Sequence, residues 1–189
     1  MIKISRLELS IVRWAIHHPN EYLGTEESQL VAGLILSVNP RVVVEFGVNL
    51  GKTARLILDA SPAIEHYLGI DVPPDHDPRL AVQRNEIPKA AAQYVLGDSR
   101  FQLLYRESTT LQISDLPVAN AVFIDGDHSA IAVRNDSLLA RAIITRGGII
   151  VWHDYANPVA EVTEVLDQFV ADGWPIQHIE GTWLAFLRI

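Results

Sequence analysis

The chain of 189 residues contains no cysteine. That excludes disulfide staples, thiolate nucleophiles and cysteine-based zinc sites together. It also lacks a long apolar run. The longest stretches, Leu30–Val38 and Gly147–Trp152, fall far short of the roughly 20 residues a bilayer requires. The first ten residues carry Lys3, Arg6 and Glu8 among apolar neighbours, which interrupts the core a signal peptide would need. A cytoplasmic protein with no membrane partner is the expectation. Basic residues are few, 15 against 23 acidic ones for a net charge of -8, and this balance argues against a nucleic-acid partner. Repeats, low-complexity tracts and interdomain linkers are missing as well, so residues 1–189 read as one domain. With 49% hydrophobic and 20% charged residues, the chain has the material for a sizeable core.

What is present is an alternation. Short β-branched runs, Arg41–Phe46, His66–Asp71, Gln93–Gly97, Ala119–Asp125 and Gly148–His153, read as strands buried on both faces. Between and after them, Lys52–Ala60, Ser99–Arg106, Ser129–Thr145 and Val159–Asp172 carry apolar residues at helical spacing. Residues 1–38 read as an N-terminal helical region, in which Thr25 caps a helix over Glu26–Ser37, with Glu26 and Glu27 at the positive end of its dipole. Residues 39–189 form the core. Trp174–Ile179 and Trp183–Ile189 look like a hairpin joined across Glu180-Gly181. The pattern predicts an α/β fold, a doubly wound, Rossmann-like and mostly parallel sheet with helices on both faces. Asp71–Pro78, with prolines at 73, 74 and 78, is a loop, because proline fixes φ and removes a donor.

Ligands of such sheets bind at the carboxyl ends of the strands, and those ends are rich in acids. Glu45-Phe-Gly47-Val-Asn49-Leu-Gly51-Lys-Thr53 is one residue too short for a phosphate-cradling P-loop and lacks the G-x-G-x-x-G dinucleotide fingerprint. Glu45 would also repel phosphate. What remains suits a ligand bearing positive charge and a ribose. Asp71, twenty residues past Gly51, can accept from ribose hydroxyls or serve as a turn carboxylate. Asp98 can accept from the exocyclic amine of a base or cap a helix. Asp125, Asp127 and His128, followed by His153 and Asp154, concentrate charge on two further ends, a repulsion relieved by a cation or by raised pKa values.

Together VVVEFGVNLGKTA, LGIDV, VLGDS, VFIDGDHS and RGGIIVWHDY, spanning residues 41–155, resemble class I S-adenosylmethionine-dependent methyltransferases. They are most similar to the small-molecule O-methyltransferase branch with an I-D-G-D-H-S segment, related to macrocin-type sugar O-methyltransferases. The resemblance implies a seven-stranded sheet with an antiparallel C-terminal strand pair. It implies that Glu45, Gly47 and Gly51 shape the methionine pocket, that Asn49 binds the cofactor with them, that Asp71 holds the ribose, and that Asp98 and Ser99 lie at the adenine. It further implies a divalent ion, Mg or Mn, held by Asp125, His153 and Asp154. Here His153 stands where the resembling proteins carry a carboxylate, and histidine favours softer ions than Mg. Ala130 replaces an aromatic. Asp125 or His128 is the expected proton acceptor for a small-molecule hydroxyl. Asp136 is expected to face solvent or a neighbouring cap, and the four tryptophans to be core or interface aromatics. With little cover over the site, a homodimer is expected. Two rivals stay open, a metal-dependent hydrolase built on the Asp/His cluster and a non-catalytic S-adenosylmethionine-binding module.

Overall fold

The computed structural model describes residues 2–4 and 26–189. Eight strands form one sheet: β1 (Ile2–Ile4), β2 (Val42–Phe46), β3 (His66–Asp71), β4 (Phe101–Tyr105), β5 (Ala119–Ile124), β6 (Ile144–Trp152), β7 (Gln177–Ile179) and β8 (Ala185–Arg188). Their order is β1-β7-β8-β6-β5-β2-β3-β4. The expected seven strands are therefore present, and β1 adds an eighth by pairing in parallel with β7. β8 runs antiparallel to both β6 and β7, so the C-terminal hairpin is as expected. Residues 2–4 correct the helical reading of the N-terminal region in part. Trp14 and the Thr25 cap lie outside the described residues.

Four helices cover the sheet: α1 (Glu26–Leu36), α2 (Lys52–Ala60), α3 (Ala130–Ile143) and α4 (Val162–Ala171). The strands alternate between two cores, because successive side chains point to opposite faces. Val43, Ala121, Phe123, Ile149 and Val151 pack with Leu30, Ile35 and Ile57 of α1 and α2. Val44, Phe46, Val122, Ile124 and Trp152 pack with residues of α3 and α4. Burying one such aliphatic side chain contributes roughly 1.5–3 kcal/mol. None of the helices among the described residues is long and apolar enough to cross a membrane.

Two assignments are corrected. Gln93–Gly97 is a run of turns, and the strand lies at 101–105, where a helix was expected. Phe101 and Leu103 pack on one core while Leu104 packs on the other. That two-residue alternation is half hidden because β4 is an edge strand with Gln102 and Tyr105 exposed. Within Gln93–Gly97 only Val95 is buried, packed in the core with Ala54 and Ile57 of α2. Ala92 N–H donates to the Asn49 carbonyl (2.7 Å) and Tyr94 N–H to that of Leu50 (3.1 Å), bracing the turn after β2.

The strand order reverses between β2 and β5, since β3 and β4 extend from β2 one way and β6 extends from β5 the other. A crevice opens at such a switch point, outside the carboxyl ends of the strands.

Candidate active site at the carboxyl ends of the strands

The crevice is a cleft of about 590 Å³ lined by the tips of β2, β3, β4, β5 and β6, within the size range of cofactor sites. At the β2 tip, Gly47 takes φ +83°, and a Cβ there would stand 2.1 Å from the Asp125 carbonyl oxygen. Only glycine permits both the turn and the contact, so the β2 and β5 tips are pressed together. Asn49 also holds a positive φ of 50°. The turn is fixed by Asp71, whose Oδ2 accepts from the Val48 and Asn49 N–H groups (3.0 and 2.7 Å) and whose Oδ1 accepts from Val72 N–H (2.7 Å). Burial raises the Asp71 pKa while these bonds oppose the shift. Glu45 is 1% exposed and accepts from the Tyr67 hydroxyl at 3.0 Å. Burial pushes its carboxyl well above the usual range, and the nearby Asp125 and Asp71 add to this.

A second group occupies the tips of β5 and β6. Asp154, in the left-handed region at φ 61°, directs Oδ2 to His128 Nε2 (3.0 Å) and His153 Nδ1 (2.9 Å). Asn157 donates to its Oδ1 (2.5 Å). Asp125 Oδ1 lies 3.4 Å from His153 Nδ1 and 3.8 Å from His128 Nε2. His153 Nε2 meets Glu27 Oε2 of α1 at 3.3 Å, and Glu27 Oε1 accepts from the Trp183 N–H (2.6 Å). Burial disfavours charge on both imidazoles, but their carboxylate partners outweigh it, pushing His128 up to about 10 and His153 up to about 12. The same bonds hold Asp154 far below the usual carboxylate range and lower Asp125. Ligating atoms of Asp125, His128 and Asp154 all lie within 4.8 Å of one another, so these three residues could hold a metal ion. His153 was expected in that set. Both of its nitrogens face carboxylates instead.

Across the cleft, Arg79 of the proline-rich loop reaches Asp127 (2.6 Å), Glu107 and Thr109 (3.1 Å), drawing that loop over the tips of β4 and β5. Gln83 holds the β5 tip by both ends, donating to the Gly126 carbonyl (3.0 Å) and accepting from His128 N–H (3.0 Å).

Residues 44–155, more than half of the chain, match the methyltransferase domain family. The chain belongs to that family. No curated protein matches this methyltransferase in sequence. Solved structures share its fold. The S-adenosylhomocysteine-bound methyltransferase PaMTH1 of Podospora anserina is 14% identical with a TM-score of 0.60, covering 98% of this chain and 88% of that one. The O-methyltransferase NovP is 16% identical with a TM-score of 0.64, over 86% and 78%. CalS11, a TDP-rhamnose 3'-O-methyltransferase, is 16% identical with a TM-score of 0.58, over 86% and 77%.

Of the residues singled out in the methyltransferase sequence, Glu45, Gly47, Asn49, Asp71, Asp125, His128, His153 and Asp154 all line the cleft. Gly51 stands just behind it as the residue before α2, its missing Cβ accommodating Val95 at 2.9 Å. Asp98 and Ser99 do not line it. They precede β4, so they stand at the amino ends of the strands, where Asp98 binds Arg100 through both oxygens (2.9 and 2.7 Å) and Arg55 (3.1 Å). The residues that follow β4 are Arg106, Glu107 and Ser108, and these do reach the cleft. Asp136 does not face solvent either, being 1% exposed and in the cleft wall. Trp152 is core, its Nε1 donating to Ser137 Oγ (2.9 Å), whereas Trp183 is 43% exposed at the cleft rim beside His153. Glu27, Arg79 and Gln83 were missed as site residues. Glu27 carried only the signal of an acid in a first helical turn, while Arg79 follows the proline-rich loop and Gln83 lies in a short 3-10 helix, Ala81–Asn85, neither marked by periodicity.

Proposed function

We propose that this methyltransferase moves a methyl group from S-adenosylmethionine to a hydroxyl of a small molecule. One observation carries the reading: the glycine turn at Gly47 abuts Asp125, so a donor seated at the β2 tip lies against the Asp/His cluster. The cleft also fits the donor's hydrogen-bonding groups. Glu45 and Asp71 offer acceptors at the tips of β2 and β3, while Asp125 and Asp154 are balanced by His128 and His153. The donor supplies an electrophilic methyl on a sulfonium, and alignment of the acceptor behind it accounts for most of the rate. Gly47, Asn49 and Gly51 give the backbone its close approach. Asp71 holds that turn and keeps capacity on Oδ1 for a ribose hydroxyl.

At the acceptor end, Asp125 is 33% exposed. It receives the acceptor hydroxyl and its proton, while His128 and His153 orient the carboxylates. Asp125, His128 and Asp154 would hold a divalent ion, and their mixed oxygen and nitrogen donors suit Mn better than Mg. Such an ion would lower the cost of deprotonating the hydroxyl. O-methylation of a small molecule is supported by the names of NovP and CalS11, and a sugar hydroxyl by the latter. We read residues 1–189 as one domain performing this reaction.

The test is Asp125→Asn assayed against a panel of sugars and phenols with and without Mn, alongside calorimetry with S-adenosylhomocysteine. Methyl transfer is expected to fall at least about 100-fold while the nucleoside still binds. Undiminished turnover would sink the role of Asp125. A wild-type protein that ignores the nucleoside would sink the donor and revive the hydrolase; nucleoside binding without transfer to any acceptor would favour the binding module.

A further inference from the structure

The base end of the donor lacks its expected reader, because Asp98 stands at the wrong end of the sheet. One buried carboxylate in the cleft is short of partners. Asp136, in the second turn of α3, is 1% exposed and forms part of the cleft wall. Asn135 Nδ2 donates to its Oδ1 (3.3 Å), and Ser108 stands beside the carboxylate in the cleft wall. Its Oδ2 has no partner among the described residues. Leaving a buried acceptor unmatched is costly, because it has lost its water and gained no donor. Such a group is explained when a ligand supplies the donor.

Position narrows what that ligand group is. α3 packs on the 108–110 turn that follows β4, and Asn135 Nδ2 ties it there through the Ser108 carbonyl (2.9 Å). Asp136 is thus at the β4 tip, on the far side of the β3 tip and Asp71 from the glycine turn at the β2 tip. A nucleoside whose reactive end abuts Gly47 and whose ribose lies at Asp71 brings its base to this third tip. Asp136, Asp127 and Glu107 exclude an anionic group, and Arg79 is already engaged by the latter two. A neutral N–H donor fits. We propose that Asp136, with Ser108 beside it, accepts a hydrogen bond from the exocyclic amine of the donor's base. This rests on the donor assigned above. Burial, which pushes the free carboxyl up to about 7, is opposed when such a donor arrives, because the bond favours the ionised form.

The experiment compares S-adenosylhomocysteine with S-inosylhomocysteine, which carries a carbonyl in place of the amine. Wild-type protein is expected to prefer the adenosyl compound at least tenfold by calorimetry. In Asp136→Asn, and in Asp136→Ser should the first variant fold poorly, the ratio is expected to shrink to within about threefold, because the variant side chain can donate to the carbonyl. A purely structural role would weaken both nucleosides alike and leave the ratio unchanged, and that result overturns the proposal. So does a wild-type protein that binds both equally. If wild type binds neither, the donor assignment itself falls and takes this one with it.

Discussion

Asp98 and Asp154 each stand between two cationic side chains, at opposite ends of the same sheet. Asp98 faces Arg100 and Arg55, with 11% of its side chain exposed; Asp154 faces His128 and His153, with 5% exposed. Both carboxylates are held below their ordinary pKa by those partners. The geometry is similar and the chemistry is not. A guanidinium stays protonated and cannot bind a metal, so Asp98 is a brace between β4 and α2. An imidazole can lose its proton or ligate an ion, and Asp154 lies beside the switch point, where a ligand can reach it. Sheet end and cation type, not the acid, separate a strut from a reactive centre.

The sharpest way to break this comparison is Asp154→Asn. It leaves two half-buried imidazoles with less compensation, and denaturant melts should show a loss of about 3 kcal/mol, with methyl transfer abolished. A loss below about 1 kcal/mol would make Asp154 no more than another surface acid. Asp136→Asn comes next and has the opposite sign. Its native pKa of about 7 lies above the ordinary 3.8, so the folded state holds its proton more tightly. Wild type therefore loses stability relative to the variant as pH rises from about 4 to 7, and the variant should gain on the order of 2–4 kcal/mol above pH 7. Equal stability at pH 4 and 8 would contradict that burial penalty.

Asp98→Asn should cost about 1–2 kcal/mol while leaving S-adenosylhomocysteine affinity within about twofold. With its native pKa depressed, the contribution of Asp98 is present above about pH 4 and fades as pH falls below that. A large loss of nucleoside binding would return Asp98 to the site. The smallest effect is expected for Arg79→Ala, whose partly exposed ion pairs are worth about 0.2–1 kcal/mol each. Stopped-flow binding should show faster nucleoside dissociation by a few fold, and an unchanged rate would mean that the strap does not cover the ligand.

Much of this was legible because it follows from spacing. Runs such as Val42–Phe46 and Ala119–Ile124 are buried on both faces, and the acids at their ends fall on the cleft because parallel strands end together. Gly47 could be read as a turn residue, although its contact with Asp125, distant in sequence, could not. The misreading at 93–106 had a physical origin. An edge strand shows only part of its alternation, while the turn segment 93–97, which buries Val95 alone, imitates a central strand in its composition, and the error carried Asp98 and Ser99 to the wrong end of the sheet. Glu27 and Asp136 were hidden because their roles depend on which face of a helix meets the sheet tips.

Gln83 links two parts of the molecule that otherwise touch through charged contacts. Its amide grips the peptide groups on either side of Asp127 from within the strap that follows β3. The position of that strap and the backbone position of His128 are therefore fixed against each other. The wall that would face a guest and the backbone that carries the reacting groups thus share one side-chain amide, with the Arg79–Asp127 ion pair alongside it.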